Sequence, residues 1–191
     1  MESQKYQIVM GLETHVRIKS ATKMFCSCPN ALELAEEPNT SVCPICMGMP
    51  GMLPTLSEKV VDLAVRAGSV LGMIINERSV FDRKSYFYPD SPTGYQITQL
   101  YHPICEHGRV RTIVDGVMME FRVNRLHIEG DAGKLIHAGS KTLCDFNRAG
   151  SPLMEIVTEP DFRSKPEVIA YLEELQKLMR WSGSSDADME K

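Results

Sequence analysis

The chain has 191 residues, 43% hydrophobic and 24% charged, which is ordinary for a globular protein with one sizeable core. Its net charge of −4 argues against a large nonspecific nucleic-acid surface, because such surfaces are usually basic. No apolar run approaches the roughly 20 residues that cross a membrane, and the N-terminal residues resemble neither a secretory signal nor a transit peptide. We therefore expect a cytoplasmic protein in a reducing environment, without membrane association.

The first half of the chain predicts a strand, a loop and a helix. Residues 6–18 alternate apolar and polar side chains beyond Gly11, which predicts an opening strand with Glu13 and His15 on one face. Residues 19–54 are loop-rich. Residues 55–73 predict a helix whose first turn carries a capping box of Thr55 and Glu58. Its apolar residues recur at helical spacing: Val60, Ala64, Ala67 and Leu71.

The second half of the chain predicts mostly strands and one long helix. Residues 80–99 are turn-rich and aromatic, and residues 108–123 predict a hairpin closed by Asp115-Gly116. Residues 124–137 begin extended and pass into a loop, and residues 152–162 predict a strand. A helix over 164–181 begins at Ser164, with Glu167 completing a capping box. We assign its apolar stripe to Leu172, Leu175 and Met179. Strands and helices do not alternate regularly, so we predict an α+β fold with a mostly antiparallel sheet.

Four of the six cysteines fall in two close pairs, Cys26-x-Cys28 and Cys43-x-x-Cys46, separated by fourteen residues. This spacing favours a closed four-thiolate zinc site that staples a loop, over buried unligated thiols or a disulfide. A redox couple at Cys43 and Cys46 would be typical of a βαβ context, whereas prolines and a glycine follow here. The remaining two, Cys105 and Cys144, stand alone and are predicted to be small buried residues.

Two polar groups have the residue types of a magnesium–nucleotide site. The first is Glu13 with His15, and the second is His127, Glu129 and Asp131, each with alternate residues on one face. Nearby cations, Arg83 and Lys84, are candidates for phosphate contacts. The alternative is an ordinary solvated sheet face. The sequence contains neither a GxxxxGK[ST] loop nor a GxGxxG motif, so nucleotide binding would need another fold.

Six segments in order resemble one known family. They are GLETHV, EPNTSVCPICMGMPGMLP, FDRKSYFYPDSPTGYQITQ, RLHIEGDAGK, DFNRAGSPLMEIVTEPDFRS and YLEELQKLMRWSGSSDADME. Together they closely resemble the B subunits of aspartyl/glutamyl-tRNA amidotransferases, over about residues 7–190. The resemblance implies a partial cradle-like α+β fold related to glutamine synthetase.

The resemblance also implies an activity and partners. The family uses ATP and Mg²⁺ to phosphorylate the side-chain carboxylate of Glu-tRNA(Gln) or Asp-tRNA(Asn), and ammonia then displaces the phosphate. The A subunit of such enzymes, an amidase, supplies the ammonia from glutamine, and the C subunit completes a heterotrimer. By this resemblance Glu13, His15 and Glu129 are catalytic and bind Mg²⁺ together with Asp131. Lys84 and Arg83 are the nucleotide-binding candidates, and the cysteine quartet matches the zinc-bearing members.

Two departures from the family pattern qualify these expectations. The second acidic motif reads Glu129-Gly130-Asp131, where the family usually has two adjacent glutamates before the aspartate. We expect Gly130→Glu to tighten magnesium binding. Family members are more than twice as long, so we expect residues 1–191 to be the N-terminal part of the catalytic domain, with a zinc-binding loop inserted at 24–50 and little activity alone. A noncatalytic, zinc-stabilised module that binds tRNA or partner subunits is the alternative.

Overall fold

The computed structural model describes residues 6–30 and 37–189, which form an α+β fold of nine strands and two helices. In chain order the elements are β1 (Glu13–Arg17), α1 (Glu58–Val70), β2 (Ile74–Ile75), β3 (Asp82–Ser85), β4 (Tyr95–Thr98), β5 (Cys105–Val114), β6 (Val117–Gly130), β7 (Lys134–Ala138), β8 (Lys141–Asp145), β9 (Pro152–Thr158) and α2 (Lys165–Trp181). All the strand pairs among these elements are antiparallel, which confirms the predicted fold class. The likeness to the glutamine synthetase cradle stays a prediction.

A five-stranded sheet with the order β1-β9-β6-β5-β2 forms the centre of the molecule. Its neighbours β1 and β9 are joined in register although they lie far apart in the sequence, with His15 opposite Glu155. Two smaller hairpins, β3–β4 and β7–β8, complete the strands of the described part. The sheet thus brings an early strand and a late strand of the chain together at one edge.

An irregularity in β6 decides which of its side chains face the core. Phe121 and Val123 are buried before it, whereas Leu126 and Ile128 are buried after it. The register against β9 shifts between Val123 and Arg125, so one extra residue lies on β6. Because side chains alternate along a strand, an extra residue exchanges the two faces.

The strand predictions were right in position but not always in extent. The hairpin closed by Asp115-Gly116 is confirmed, with φ values of 49° and 82° that suit a tight hairpin turn. The opening strand is shorter than predicted, because only Glu13–Arg17 pair with β9. The strand predicted at 152–162 ends at Thr158. The predicted loop within 124–137 is wrong at its end, where β7 pairs with the unpredicted β8.

Helix α1 confirms the predicted apolar stripe but not the predicted start. Val60, Ala64, Ala67 and Leu71 are all buried. The helix begins at Glu58 with Ser57 as the N-cap residue, and the Ser57 side chain makes no capping hydrogen bond. The capping box of Thr55 and Glu58 is therefore wrong, because the chain is still extended at Ser57.

Helix α2 begins as predicted, and two of the three residues of its predicted apolar stripe are buried. Ser164 is the N-cap residue, but its side chain makes no capping hydrogen bond to the helix backbone, so the predicted capping box is incomplete. Instead, Ser164 Oγ donates to Glu167 Oε1 at 2.9 Å, and Glu167 Oε2 accepts from the backbone N–H of Arg163 at 2.7 Å. Leu175 and Met179 are buried, whereas Leu172 is 39% exposed and Tyr171 is fully buried instead. The Tyr171 ring packs edge-on against Phe162, which explains why Tyr171 rather than Leu172 is buried.

The two lone cysteines differ in their surroundings. Cys105 is fully buried, as predicted, against the close approach of helix α1 at Gly68. Cys144 lies in β8 and is only partly buried, so its assignment to the core is wrong. Among the helices of the described residues, none is long and apolar enough to cross a membrane.

Candidate functional site

Three side chains from three strands converge on one face of the central sheet. His15 Nε2 lies 3.3 Å from Glu129 Oε1 and 3.4 Å from Glu155 Oε2, and the ligand atoms of these residues all lie within 4.8 Å of one another. Strand pairing sets this arrangement, since Glu155 is directly opposite both His15 on β1 and His127 on β6. The two carboxylates are ligands that suit Mg²⁺ or Mn²⁺, and the imidazole adds one nitrogen donor.

The β6 irregularity places Glu129 in this cluster. After the extra residue, His127 and Glu129 alternate with the core residues Leu126 and Ile128 and so face the other side of the sheet. Both polar side chains are nevertheless nearly buried, because the β3–β4 hairpin covers that face. Thr98 on β4 donates its hydroxyl proton to Glu129 Oε2 at 3.0 Å.

A second histidine, His127, contacts both carboxylates of the cluster. His127 Nε2 lies 3.3 Å from Glu155 Oε2 and 3.6 Å from Glu129 Oε2. Glu129 Oε2 is therefore engaged by Thr98 and His127, while Glu129 Oε1 faces His15. This leaves Glu129 Oε1 as the oxygen directed toward the shared space of the cluster.

The mutual contacts shift the pKa of every member of the cluster. Hydrogen bonding to Glu129, and then to Glu155, raises the pKa of His15 to about 10. Burial alone would raise the pKa of Glu129, but hydrogen bonds from His127, His15 and Thr98 lower it to about 2. The pKa of Glu155 falls through hydrogen bonds from His127 and His15. Burial acts to lower the pKa of His127, yet the two carboxylates raise it. Without a metal, the cluster therefore pairs imidazolium with carboxylate.

The structure does not bring Glu13 and Asp131 into this cluster. Glu13 shares the face of β1 with His15 but is exposed and lies opposite Val157, two residues before His15 on the strand. Asp131 Oδ2 lies 3.3 Å from Arg148 Nε, and its Oδ1 accepts the backbone N–H of Ala132 at 2.8 Å. The carboxylate of Asp131 is thus held at the side of the site.

Position 130 faces away from the cluster. A Cβ added at Gly130 would lie 3.7 Å from Gly150 Cα and 4.0 Å from Phe25 Cε2, so a Cβ fits there without a clash. That side chain would leave β6 on the side opposite Glu129. The geometry therefore favours Glu129 over position 130 as the carboxylate that could bind a metal.

The two predicted phosphate-binding cations lie on opposite sides of the β3–β4 hairpin. Lys84 lines an open cleft of about 1160 Å³ together with His15, Glu129 and Arg148. Arg83 points the other way, with its guanidinium 4.8 Å from the centre of the Tyr95 ring. The structure therefore brings Lys84, and not Arg83, to the cleft of the carboxylate cluster.

The cysteine quartet forms a second candidate metal centre beside the same cleft. The sulfur atoms of Cys26, Cys28, Cys43 and Cys46 all lie within 4.8 Å of one another, and all four thiols are free. A zinc tetrahedron with Zn–S bonds of about 2.3 Å needs sulfur atoms about 3.8 Å apart, so the quartet fits. The intervening residues 31–36, part of the predicted zinc loop 24–50, lie outside the described part.

The loop around Cys43 and Cys46 is built for close sulfur contacts. The backbone N–H of Cys43 donates to Cys46 Sγ at 3.1 Å, and Gly48 adopts a φ of 64° while packing against Thr93. Hydrogen bonding with Cys26 holds the pKa of the Cys46 thiol well below its ordinary value, and it raises the pKa of Cys26. The quartet thus favours a thiolate at Cys46. Cys26 and Cys46 also line the cleft.

Sequence reasoning missed Glu155 and Thr98 and left His127 without an assigned role. Glu155 offered one signal, since it is a lone charged residue inside the apolar strand PLMEIVT. A carboxylate that is buried in a central strand needs a partner, which is a reason to look for a site there.

Comparison with known proteins gives the context of this site. Residues 8–191 match the family described as "GatB/GatE catalytic domain". Curated relatives are named as the B subunit of an aspartyl/glutamyl-tRNA(Asn/Gln) amidotransferase. The relative from Persephonella marina is 51% identical over 98% of this chain and 39% of its own length. The relative from Syntrophotalea carbinolica is 47% identical over 98% of this chain and 39% of its own length. The relative from Symbiobacterium thermophilum is 48% identical over 100% of this chain and 40% of its own length.

The chain thus spans about two fifths of the length of the curated relatives it matches. The resemblance on which the site residues were assigned is confirmed, because the match covers nearly the whole chain. The protein belongs to the GatB/GatE catalytic domain family.

Proposed function

We propose that this chain forms part of the site at which an ATP-dependent amidotransferase converts Glu-tRNA(Gln) or Asp-tRNA(Asn) to the corresponding amide. The observation that carries the proposal is the cluster of His15, Glu129 and Glu155 beside a large cleft that also contains Lys84. The relatives are named as B subunits of aspartyl/glutamyl-tRNA(Asn/Gln) amidotransferases, which supports the proposed substrate class.

The cluster has the residues to hold Mg²⁺ with ATP. His15 Nε2, Glu129 Oε1 and one oxygen of Glu155 would be the protein ligands, with His127 and Thr98 fixing the carboxylates from behind. A bound Mg²⁺ offsets the negative charge of the phosphates during phosphoryl transfer. Lys84 lies in the same cleft and would contact phosphate oxygens. Ligation requires His15 to release its proton.

The reaction activates a carboxylate in two balanced steps. A side-chain carboxylate oxygen of the aminoacyl-tRNA attacks the γ-phosphorus of ATP, and the bond to the ADP oxygen breaks. Ammonia then attacks the acyl carbon, the carbon–oxygen bond to phosphate breaks, and a proton passes from nitrogen to the departing phosphate. Activation is needed because oxide is a very poor leaving group, whereas phosphate is a good one.

The proposed partners follow from the names of the relatives, which call each of them a B subunit. We propose that an amidase, the A subunit, supplies the ammonia and that a C subunit completes a cytoplasmic heterotrimer. The glutamine synthetase-like cradle is likewise proposed, on the basis of the family resemblance.

Metal and nucleotide binding tests the proposed site without requiring turnover. Mn²⁺ binding to the purified protein, followed by electron paramagnetic resonance, should be lost in Glu129→Gln and Glu155→Gln but retained in Glu13→Gln. MgATP binding, measured by calorimetry, should weaken in Lys84→Met more than in Arg83→Met. Equal effects of the site variants and their controls would contradict the assignment.

Activity tests the reaction itself. Because residues 1–191 are expected to have little activity alone, the assay uses a B subunit that contains them. ATP-dependent amide formation on misacylated tRNA by that subunit, with the A and C subunits present, should require Glu129 and Glu155. Binding of tRNA without any metal or ATP binding would instead favour the noncatalytic module as the function.

We also propose that the cysteine quartet holds a structural zinc ion. Four thiols at this spacing would close the tetrahedron and leave no open position for chemistry. Elemental analysis should find one zinc per chain, and Cys43→Ser should abolish it. A protein that binds no zinc with its thiols reduced would refute this role.

A further inference from the structure

A buried lysine lies beside the cysteine quartet. The Lys23 side chain is fully buried, and its Nζ lies 2.7 Å from the carbonyl oxygen of Ser41, 3.3 Å from that of Phe146 and 3.7 Å from Cys46 Sγ. No ion pair joins Lys23 to a carboxylate within residues 6–30 and 37–189. Among the described residues, the sulfur cluster is therefore the neighbour of Lys23 that can carry the opposite charge.

Because Lys23 is buried, its ammonium group needs an opposite charge nearby. Removing an ammonium from water is costly unless hydrogen bonds and an opposite charge replace the solvent. The two carbonyl groups supply hydrogen-bond acceptors but no net charge. Four thiolates around Zn²⁺ would leave two negative charges, in a place where Cys26 is itself buried. A buried cation and a buried anionic centre thus satisfy each other.

We propose that Lys23 is a positioning residue of the cysteine centre, donating to Cys46 Sγ, offsetting the charge of the metal-bound thiolates and tying the cysteine loop to the turn at 146–150. This inference rests on the proposed zinc centre. In this proposal, Lys23 contacts neither the substrate nor the nucleotide.

The same lysine connects the cysteine centre to the carboxylate site. A Cβ at Gly150 would lie 3.7 Å from Cys46 Cβ and 3.8 Å from Lys23 Cδ, so the turn packs directly against both. The backbone N–H of Gly150 donates to the carbonyl of Asp131 at 2.8 Å, and its carbonyl accepts from the backbone N–H of Met24 at 2.9 Å. Asp131 follows the end of β6, two residues beyond Glu129. Loss of the Lys23 contacts therefore loosens one wall of the cleft.

Zinc affinity in matched variants tests the inference. Lys23→Met keeps an unbranched apolar stem and removes the charge and the donor. Lys19→Met removes the same charge four residues away, from an exposed side chain whose Nζ lies 2.7 Å from Asp186 Oδ1. Competition with a chromogenic chelator should show zinc binding weakened about 10- to 100-fold in Lys23→Met and unchanged in Lys19→Met.

A spectroscopic measurement separates this role from simple packing. A donor to Cys46 Sγ stabilises the sulfur lone pairs, so its removal should shift the sulfur-to-Co²⁺ charge-transfer bands of the cobalt-loaded protein to longer wavelength. Zinc-loaded Lys23→Met should also react faster with iodoacetamide at Cys46. A lysine that only fills space would change the melting temperature of the metal-free protein and leave both readouts unmoved, which would overturn the inference.

The outcomes for the zinc centre and for Lys23 are distinguishable. If the wild-type protein binds no zinc, the proposed centre fails and the inference fails with it. If the wild type binds zinc and Lys23→Met binds it as tightly, the inference fails alone. If Lys23→Met does not fold, the rate of amine acetylation in the wild type tests the inference. With zinc bound, Lys23 should be acetylated far more slowly than Lys19. Removal of zinc should then speed up the acetylation of Lys23. Equal labelling of Lys23 with and without zinc would refute the inference.

Discussion

Replacing Glu155 by glutamine tests whether this residue, which strand pairing places opposite His15, belongs to the candidate metal-binding cluster. The substitution keeps the shape of the side chain and removes one negative charge from a point 3.4 Å from His15 Nε2 and 3.3 Å from His127 Nε2. In the metal-free protein, both imidazoles should then bind a proton less tightly. Metal binding should weaken as well, because one carboxylate ligand is lost.

The size of the pKa effect follows from these distances. At 3.4 Å, two unit charges interact by about 1.2 kcal/mol in water and by about 5 kcal/mol at an effective dielectric constant near 20. The His15 side chain is 52% exposed, so solvent screening favours the lower figure. Since about 1.4 kcal/mol corresponds to one pKa unit, the pKa of His15 should fall by about one unit. The fall should be larger for His127, which is nearly buried.

Imidazole resonances followed by NMR over a pH titration measure both pKa values directly. Glu13→Gln is the matched control, because Glu13 is an exposed glutamate on the same face of the sheet but outside the cluster. Glu13→Gln should leave the pKa values of His15 and His127 and the Mn²⁺ affinity unchanged. An equal fall of the His15 pKa in the two variants would refute the assignment of Glu155 as its partner.

Three further substitutions, in the cluster, beside it and in the core, have expected outcomes. The family pattern predicts that Gly130→Glu tightens metal binding, but the geometry predicts a nearly unchanged Mn²⁺ affinity, because the side chain would start on the side of β6 opposite Glu129. A clearly tighter complex in an Mn²⁺ titration would contradict this. The pKa of Glu129 is lowered to about 2 from 4.5, so its contribution to stability is present above pH 4.5 and is lost as the pH falls toward 2. Glu129→Gln should therefore flatten the loss of unfolding free energy between about pH 5 and about pH 2.5 in urea titrations, and parallel curves for variant and wild type would oppose it. Gly68→Ala should destabilise the fold by about 1–3 kcal/mol in urea despite better helix propensity, because the new Cβ would clash with Cys105 Sγ. Cys105→Ala should rescue part of that loss, and a stabilised Gly68→Ala protein would show that the helix can move.

Local patterns in the sequence were enough to predict several elements. The spacing of Val60, Ala64 and Ala67 predicted the buried side of α1, and Asp115-Gly116 marked the central hairpin. These features depend on neighbours within a few residues, so a single sequence contains them. The same local patterns failed where packing chose between neighbours, as when Tyr171 took the buried place predicted for Leu172.

The sequence alone also pointed to the residue types of both candidate sites. The cysteine spacing predicted that four thiols share one centre, and in the structure their sulfur atoms lie within 4.8 Å of one another. His15 and Glu129 were singled out from the polar alternation of two strands and by resemblance to a family. Their distance from each other could not be read from either strand.

Only the tertiary structure decided which side chains meet. Glu155 joins His15 because β1 pairs with β9 in one register, and a slip of one residue would have turned it to the other face. The extra residue in β6 turned Glu129 toward the cluster and position 130 away from it. Lys23 became a partner of Cys46 through a loop and a turn far apart in sequence. Pairing between distant strands and burial of a charge depend on the whole chain, so no local pattern of residues specifies them.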